Sequence, residues 1–128
     1  MTVRSRPLSP HLQIYRFTIT MAMSIIHRIT GVANYAGMLF LAIWLVAAGW
    51  SQEALNAVNS LYGSWLGQLV LFAYTWSLLH HMMGGLRYFV WDSINGFEPG
   101  QREALAWGNL IASIILTLLV WAVFVWVA

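Results

Sequence analysis

His80 and His81 stand side by side within an uncharged stretch that runs from Ala54 to Leu86. An ionisable side chain in so apolar a setting is costly and demands a chemical reason. Adjacent positions on a helix point about 100° apart, so the two rings cannot serve one partner. Tyr74, Ser77, His81, Gly84 and Tyr88 fall on one stripe, with Gly85 at the i+4 neighbour position of His81. Side chains missing at the glycines make room beside the helix for a large flat group. A neutral imidazole facing that space suits an axial ligand of haem iron. No second ligand stands opposite it in this chain, so a bis-histidine haem would need another subunit. The same residues also suit a plain helix–helix contact, in which glycines allow close approach and a histidine bridges by one hydrogen bond. From spacing alone the packing reading stands first.

A second group is Ser24-Ile25-Ile26-His27-Arg28. If a helix begins near residues 18–20, Ser24 and Arg28 share a face at i, i+4, with His27 beside them. A hydroxyl, an imidazole and a permanent cation placed together can hydrogen-bond a quinone carbonyl or grip haem propionates. Taken alone, Arg28 more simply reaches out to lipid phosphate and Ser24 caps the helix. Arg87 and Asp92 are expected to form a weak surface pair or to meet a partner domain. Asn109, Ser113 and Thr117, spaced four apart, are expected to act as polar contacts between helices.

The elements that must position these groups follow from composition. The chain has 128 residues, 60% hydrophobic and 8% charged, against roughly 25% charged in a soluble domain. Its mean hydropathy is +0.70. Six arginines, four acids and no lysine cannot coat a small water-soluble globule. That excludes a soluble enzyme, a disordered chain and a nucleic-acid binder. The net charge of +2 is too small for a phosphate-binding surface. With no cysteine, the chain itself can hold no disulfide, zinc-thiolate site, iron–sulfur cluster or thiol nucleophile.

No charge lies between Ile29 and Gln52, between Ala54 and Leu86, or between Ala104 and Ala128. A membrane-crossing helix needs ~20 apolar residues, so each gap is expected to hold one span, near 29–49, 65–90 and 106–127. Trp50, Trp65, Trp91, Trp107 and Trp126 lie near the span ends, where an aromatic belt belongs. Residues 52–62 read as a short amphipathic surface helix, and 95–100 as a turn-rich connector. Arg4, Arg6, Arg16, Arg28, Arg87 and Arg102 all fall on one side, while the 50–64 loop carries only Glu53. The N-terminus is therefore expected in the cytoplasm and the C-terminus in the periplasm. About 28 residues precede the first apolar run, which is longer than the usual ~7–15-residue core of a signal peptide, so neither a signal peptide nor a presequence is expected. A bacterial inner membrane is the simplest location. The expectation is a single all-α integral membrane domain over residues 1–128 with three transmembrane helices.

Two stretches narrow this reading. One is Arg6-Pro7-Leu8-Ser9-Pro10-His11-Leu12 followed by Ser24-Ile25-Ile26-His27-Arg28-Ile29-Thr30-Gly31. The other is His81-Met82-Met83-Gly84-Gly85-Leu86-Arg87, running on to Trp91-Asp92. Together they resemble the two signatures of the cytochrome b membrane-anchor subunits of succinate dehydrogenase, respiratory complex II, in its alphaproteobacterial and mitochondrial branch. Chain length and three-span layout match as well. Tyr88 stands where many members carry His or Phe, and Ile94 where a small residue is common.

The resemblance implies a haem-binding helix bundle completed by a second anchor subunit, which supplies the other ligand of one shared haem b. It implies His81 as the axial ligand of the haem iron, His27 and Arg28 near the haem propionates, and Ser24 and Arg28 in the ubiquinone pocket. It also implies partners: a flavoprotein that oxidises succinate, an iron–sulfur subunit that passes electrons on, and membrane lipids. The flavin and clusters reside only in those partners. The chain alone would be non-catalytic and contribute one wall of the quinone site. The anchor of a quinol:fumarate reductase and a haem-free structural anchor are the alternatives.

Overall fold

Four helices follow one another: α1 (Ile19–Trp50), α2 (Gln52–Gly63), α3 (Trp65–Asp92) and α4 (Pro99–Val127). They are seen in a computed structural model that describes residues 15–127. The expectations resting on Arg4, Arg6, the motif at 6–12 and Ala128 lie outside the described residues.

α1 has 32 residues, ~48 Å at 1.5 Å per residue, well beyond the ~30 Å hydrocarbon thickness. It starts ten residues before the uncharged run, because no proline or glycine interrupts 19–28 and a helix need not stop where lipid headgroups begin. Its first turns carry Ser24, His27 and Arg28. Thr18, extended at φ −102° and ψ 158°, caps it without a side-chain hydrogen bond. Ser24 therefore lies inside the helix, and capping is not its role.

Two single-residue corners fix α2. Ser51 and Ser64 both adopt extended backbone and act as N-caps, with Ser51 Oγ accepting from Ala54 N and Ser64 Oγ from Gly67 N, each at 3.1 Å. α2 is the short amphipathic helix expected from the sequence. It is tied to α1 by Tyr62 donating to the Phe40 carbonyl at 2.7 Å and Trp44 Nε1 donating to Asn59 Oδ1 at 3.0 Å.

The α3–α4 connection is tight. Ile94 (φ 59°) and Gly96 (φ 79°) both sit in left-handed backbone, and Asn95 N reaches the Val90 carbonyl at 3.3 Å. α4 then opens at Pro99, a favoured first helical residue, seven residues before the expected span at 106.

α1 and α4 are long and apolar enough to cross a membrane. α3, 28 residues long, is less apolar because it carries the polar side chains of the bundle and packs against both others. The interior is correspondingly polar. Ser77, His80, Arg87, Asn109, Ser113 and Thr117 are buried, alongside Met23 and Ala106. Large apolar residues such as Leu39, Val46, Phe89, Val123 and Phe124 point outward. Without water outside, no hydrophobic force gathers such helices, and small residues with interhelical hydrogen bonds do so instead.

Candidate functional site

α3 divides its polar residues between two neighbours. Towards α1 it turns Tyr74, Ser77, His81 and Gly84, the stripe read from the sequence. Ser77 Oγ donates to Asn34 Oδ1 at 2.8 Å, and Tyr74 OH donates to the Asn34 carbonyl at 3.4 Å. Gly37 lies against the Tyr74 ring and Gly31 against His81, where an added Cβ would come to 3.1 Å from His81 Cε1. Gly31, Asn34 and Gly37 thus make one small-residue face of α1. Asn34, Gly37 and the side chain of Thr30 went unremarked in the sequence, although the i+3 spacing of 31, 34 and 37 signals such a face.

His81 is held in one orientation. Its Nδ1 lies 3.1 Å from the His27 carbonyl and 3.3 Å from Thr30 Oγ1, and Thr30 Oγ1 donates to that same carbonyl at 2.9 Å. A carbonyl only accepts, so Nδ1 carries the proton and the lone pair lies on Nε2. Among the described residues, Nε2 has no hydrogen-bond partner. A backbone carbonyl on one ring nitrogen is the usual device that orients an imidazole whose other nitrogen binds metal.

The His27 ring stacks on His81, with centroids 4.0 Å apart and planes 6° from parallel, and Tyr88 meets it edge-on at 5.3 Å. Gly84 is buried beneath the His27 ring, where any Cβ would collide with Nδ1. The expected free space beside the glycines is therefore half realised. Gly84 makes room for a histidine of α1, while Gly85 borders space in which an added Cβ meets nothing within 4 Å.

His80 points the other way, into the α3–α4 seam, and is fully buried. Ser113 Oγ donates to the Leu110 carbonyl at 2.8 Å, so it accepts from His80 Nδ1 at 3.2 Å; Asn109 Nδ2 also lies 3.3 Å from Nδ1 and 3.5 Å from Nε2. The ring of Trp76 closes over it at 5.0 Å. Asn109 and Ser113 are polar interhelical contacts, as expected. Thr117 bonds back to the Ser113 carbonyl within its own helix.

Ser24 lines a shallow cleft of about 320 Å³ with Thr20, Met21 and Ile25, while Arg28, one turn later, is exposed. His27 is turned away from both, into the α1–α3 seam. The group read at 24–28 thus splits: His27 leaves it to form a half-buried imidazole pair with His81, while Ser24 and Arg28 face outward.

Arg87 departs from the expected surface pair with Asp92. Only 4% of it is exposed, and among the described residues its Nε and Nη1 have no hydrogen-bond partner. The guanidinium lies instead over the rings of Trp91 at 5.0 Å and Tyr88 at 5.7 Å. The reason is α4, which crosses close enough to cover it.

The donor set suits a haem ligated from one side. His81 presents a single oriented lone pair beside open space at Gly85. No cluster of three metal-ligating side chains occurs among the described residues, so an iron here would depend on a macrocycle.

Comparison with known proteins agrees on one family. The sequence profile described as "Succinate dehydrogenase/Fumarate reductase transmembrane subunit" matches residues 2–126. The chain is 40% identical over 124 residues to the succinate dehydrogenase cytochrome b556 subunit of Paracoccus denitrificans, covering 94% of this chain and 95% of that one. Identity to the cytochrome b556 subunit of Rickettsia felis is 34% over 116 residues, covering 91% and 90%. Identity to the mitochondrial cytochrome b560 subunit of Bos taurus is 38% over 120 residues, covering 92% and 69%.

Proposed function

The chain belongs to the succinate dehydrogenase/fumarate reductase transmembrane subunit family, and on that footing we propose that it is the cytochrome b anchor of a succinate:ubiquinone oxidoreductase. In this reading it shares one haem b with a second anchor subunit and lines part of the ubiquinone-reduction site. A flavoprotein and an iron–sulfur subunit dock on its cytoplasmic side. The relatives' names favour the succinate-oxidising direction over a quinol:fumarate reductase.

α3 is the middle of three membrane spans, the one added to α1 and α4. Its length of ~42 Å suffices, and its polar groups face α1 and α4 rather than lipid. The ends carrying Arg16, Arg28, Arg87 and Arg102 face the cytoplasm of a bacterial inner membrane, and the α2 side faces the periplasm.

The observation that carries the haem assignment is the His81 imidazole, with Nδ1–H bound to the His27 carbonyl and Nε2 left unpaired. When bound, the haem supplies one-electron redox chemistry. His81 supplies the ligating lone pair, and the α1 backbone fixes its tautomer. His27 has Nδ1 enclosed against Gly84, which leaves its Nε2 to meet an anionic propionate from the α1–α3 seam, with Arg28 approaching only from the outer face of α1. The other anchor would supply the remaining haem ligand.

At the quinone site, reduction makes the carbonyl oxygens more basic, so fixed donors act most strongly as negative charge develops. The Ser24 hydroxyl donates to one such oxygen. Arg28 remains cationic throughout and holds either that oxygen or a proton-carrying water. Succinate oxidation requires nothing from this chain.

The test is purification of the intact complex through this subunit. A flavoprotein and an iron–sulfur protein should co-purify, and the reduced-minus-oxidised spectrum should show b-type bands. A complete assembly without those bands would make the chain a haem-free structural anchor.

A further inference from the structure

On the side of α3 away from His81, a cleft of about 350 Å³ lies between α3 and α4. It is lined by Arg87 and Asn109, by the apolar side chains of Met83, Leu86, Val90 and Leu105, and by Ala104 and Gly108. Both polar residues are 4% exposed and incompletely satisfied. Among the described residues, Arg87 leaves Nε and Nη1 without an acceptor, and Asn109 leaves Oδ1 without a donor. A guanidinium taken out of water without an opposite charge is strongly unfavourable, and the Trp91 and Tyr88 rings offset only part of that cost. An anionic group in the cleft would remove the deficit.

The lining identifies its chemistry. A cation beside an unpaired acceptor asks for a phosphate with a neighbouring hydroxyl, and the apolar walls ask for hydrocarbon. The level fits as well. Arg87 lies five residues from the end of α3, ~7.5 Å, between Trp91 and the exposed Trp107. Tryptophans mark the headgroup region, and basic pockets between helices on the cytoplasmic side suit acidic lipid headgroups. A carboxylate from a partner subunit would meet the charge but leave the apolar walls bare.

We propose that the α3–α4 cleft binds one phosphoglycerol lipid, with its phosphate on Arg87, a headgroup hydroxyl on Asn109 Oδ1 and the start of an acyl chain along Met83, Leu86, Val90 and Leu105. The site is separate from the haem and quinone residues, which occupy α1 and the opposite face of α3.

Native mass spectrometry of the whole purified complex tests this after delipidation and titration with dioleoyl-phosphatidylglycerol, dioleoyl-phosphatidylcholine or inorganic phosphate. One phosphatidylglycerol should be retained per copy of this chain, at least tenfold more tightly than phosphatidylcholine. Arg87→Met should abolish that retention, and Arg87→Lys should keep part of it. Because Arg87→Met can disturb assembly, Gly108→Leu is the second variant. A Cβ at 108 meets nothing within 4 Å among the described residues and Gly108 lines the cleft, so a leucine can project into it and should displace the lipid. Arg102→Gln, an exposed arginine at the same end, should change nothing. Retention unchanged in Gly108→Leu and Arg87→Met would overturn the proposal. So would retention of inorganic phosphate equal to that of the lipid, which would mark a free-anion site. Loss of the iron–sulfur subunit from Arg87→Met with lipid retention intact would overturn it too, by assigning Arg87 to a protein partner.

Discussion

Replacing each of two neighbouring histidines with alanine should produce opposite defects. His80 is fully buried, with Nδ1 donating to Ser113 and the Asn109 amide against its ring. His80→Ala removes that ring and leaves the Asn109 amide with no partner in a closed seam. A stranded buried polar group costs ~1–3 kcal/mol, and the cavity adds more, so a loss of about 3 kcal/mol is expected. His81 is half-buried and open at Nε2. Its removal forfeits stacking on His27, worth ~0.5–1.5 kcal/mol, and one interhelical hydrogen bond that averages ~0.6 kcal/mol in a membrane bundle, together about 1–2 kcal/mol.

The order of the two effects reverses in the visible spectrum. His81→Ala should lose the b-type bands or shift the haem midpoint potential, whereas His80→Ala should retain both in whatever fraction stays assembled. The assay is a thermal melt of the solubilised complex, followed by fluorescence, paired with redox difference spectra of the same preparations. His80→Asn, which keeps an amide able to bond Ser113 and Asn109, should recover part of the stability. A normal spectrum and potential in assembled His81→Ala would refute the ligand assignment. Loss of the bands in well-assembled His80→Ala would show that the two faces of α3 were assigned the wrong way round.

Ser24→Ala and Arg28→Leu should each slow quinone reduction while succinate oxidation with an artificial acceptor persists; removing a donor from a charge-developing oxygen costs ~2.7–4 kcal/mol, a rate loss of roughly 10²–10³. A parallel fall in both activities would assign these residues to assembly. Ile94→Gly should raise the melting temperature, because a β-branched residue at φ 59° bears ~1–2 kcal/mol of left-handed backbone cost, and its side chain, 85% exposed, gives up little packing; a lower melting temperature would contradict this. Single cysteines at 52 and 102 should be labelled by an impermeant reagent from the periplasm at 52 only, and labelling at 102 alone would invert the topology.

The stripe of Tyr74, Ser77, His81 and Gly84 was legible because helical periodicity holds wherever the backbone is unbroken, and the opposed directions of His80 and His81 follow from the same 100° step. Helix ends were less legible. Gaps between charges mark the hydrocarbon layer, whereas hydrogen-bonded helix continues through the headgroups, so α1 and α4 begin ten and seven residues early. Arg87 looked like a surface residue because an acid follows it five positions on and the span was ending. Its burial depends on α4 passing close by, and the signal for that, Ala104 and Gly108 spaced four apart, lies on a different helix. The split of His27 from Arg28 was hidden for a related reason. Adjacent residues diverge, and which one enters the α1–α3 seam is settled by Gly84, a residue 57 positions away that leaves room for an imidazole.

The remaining face of α3 explains why His81 stands at a border. Leu78, Met82, Leu86 and Phe89 are all exposed on it, and Gly85 opens onto empty space beside them. His81 lies between that face and the α1 seam, its neighbours one turn away being Ser77 and Gly84 on the packed side and Leu78 and Gly85 on the open side. A histidine deep in the seam would be consumed by interhelical hydrogen bonds, as His80 is. One on the open face would lack the carbonyl that fixes its tautomer. Only at the border can one nitrogen be anchored to this chain and the other offered outward, which is what the proposed haem shared with a second subunit would require.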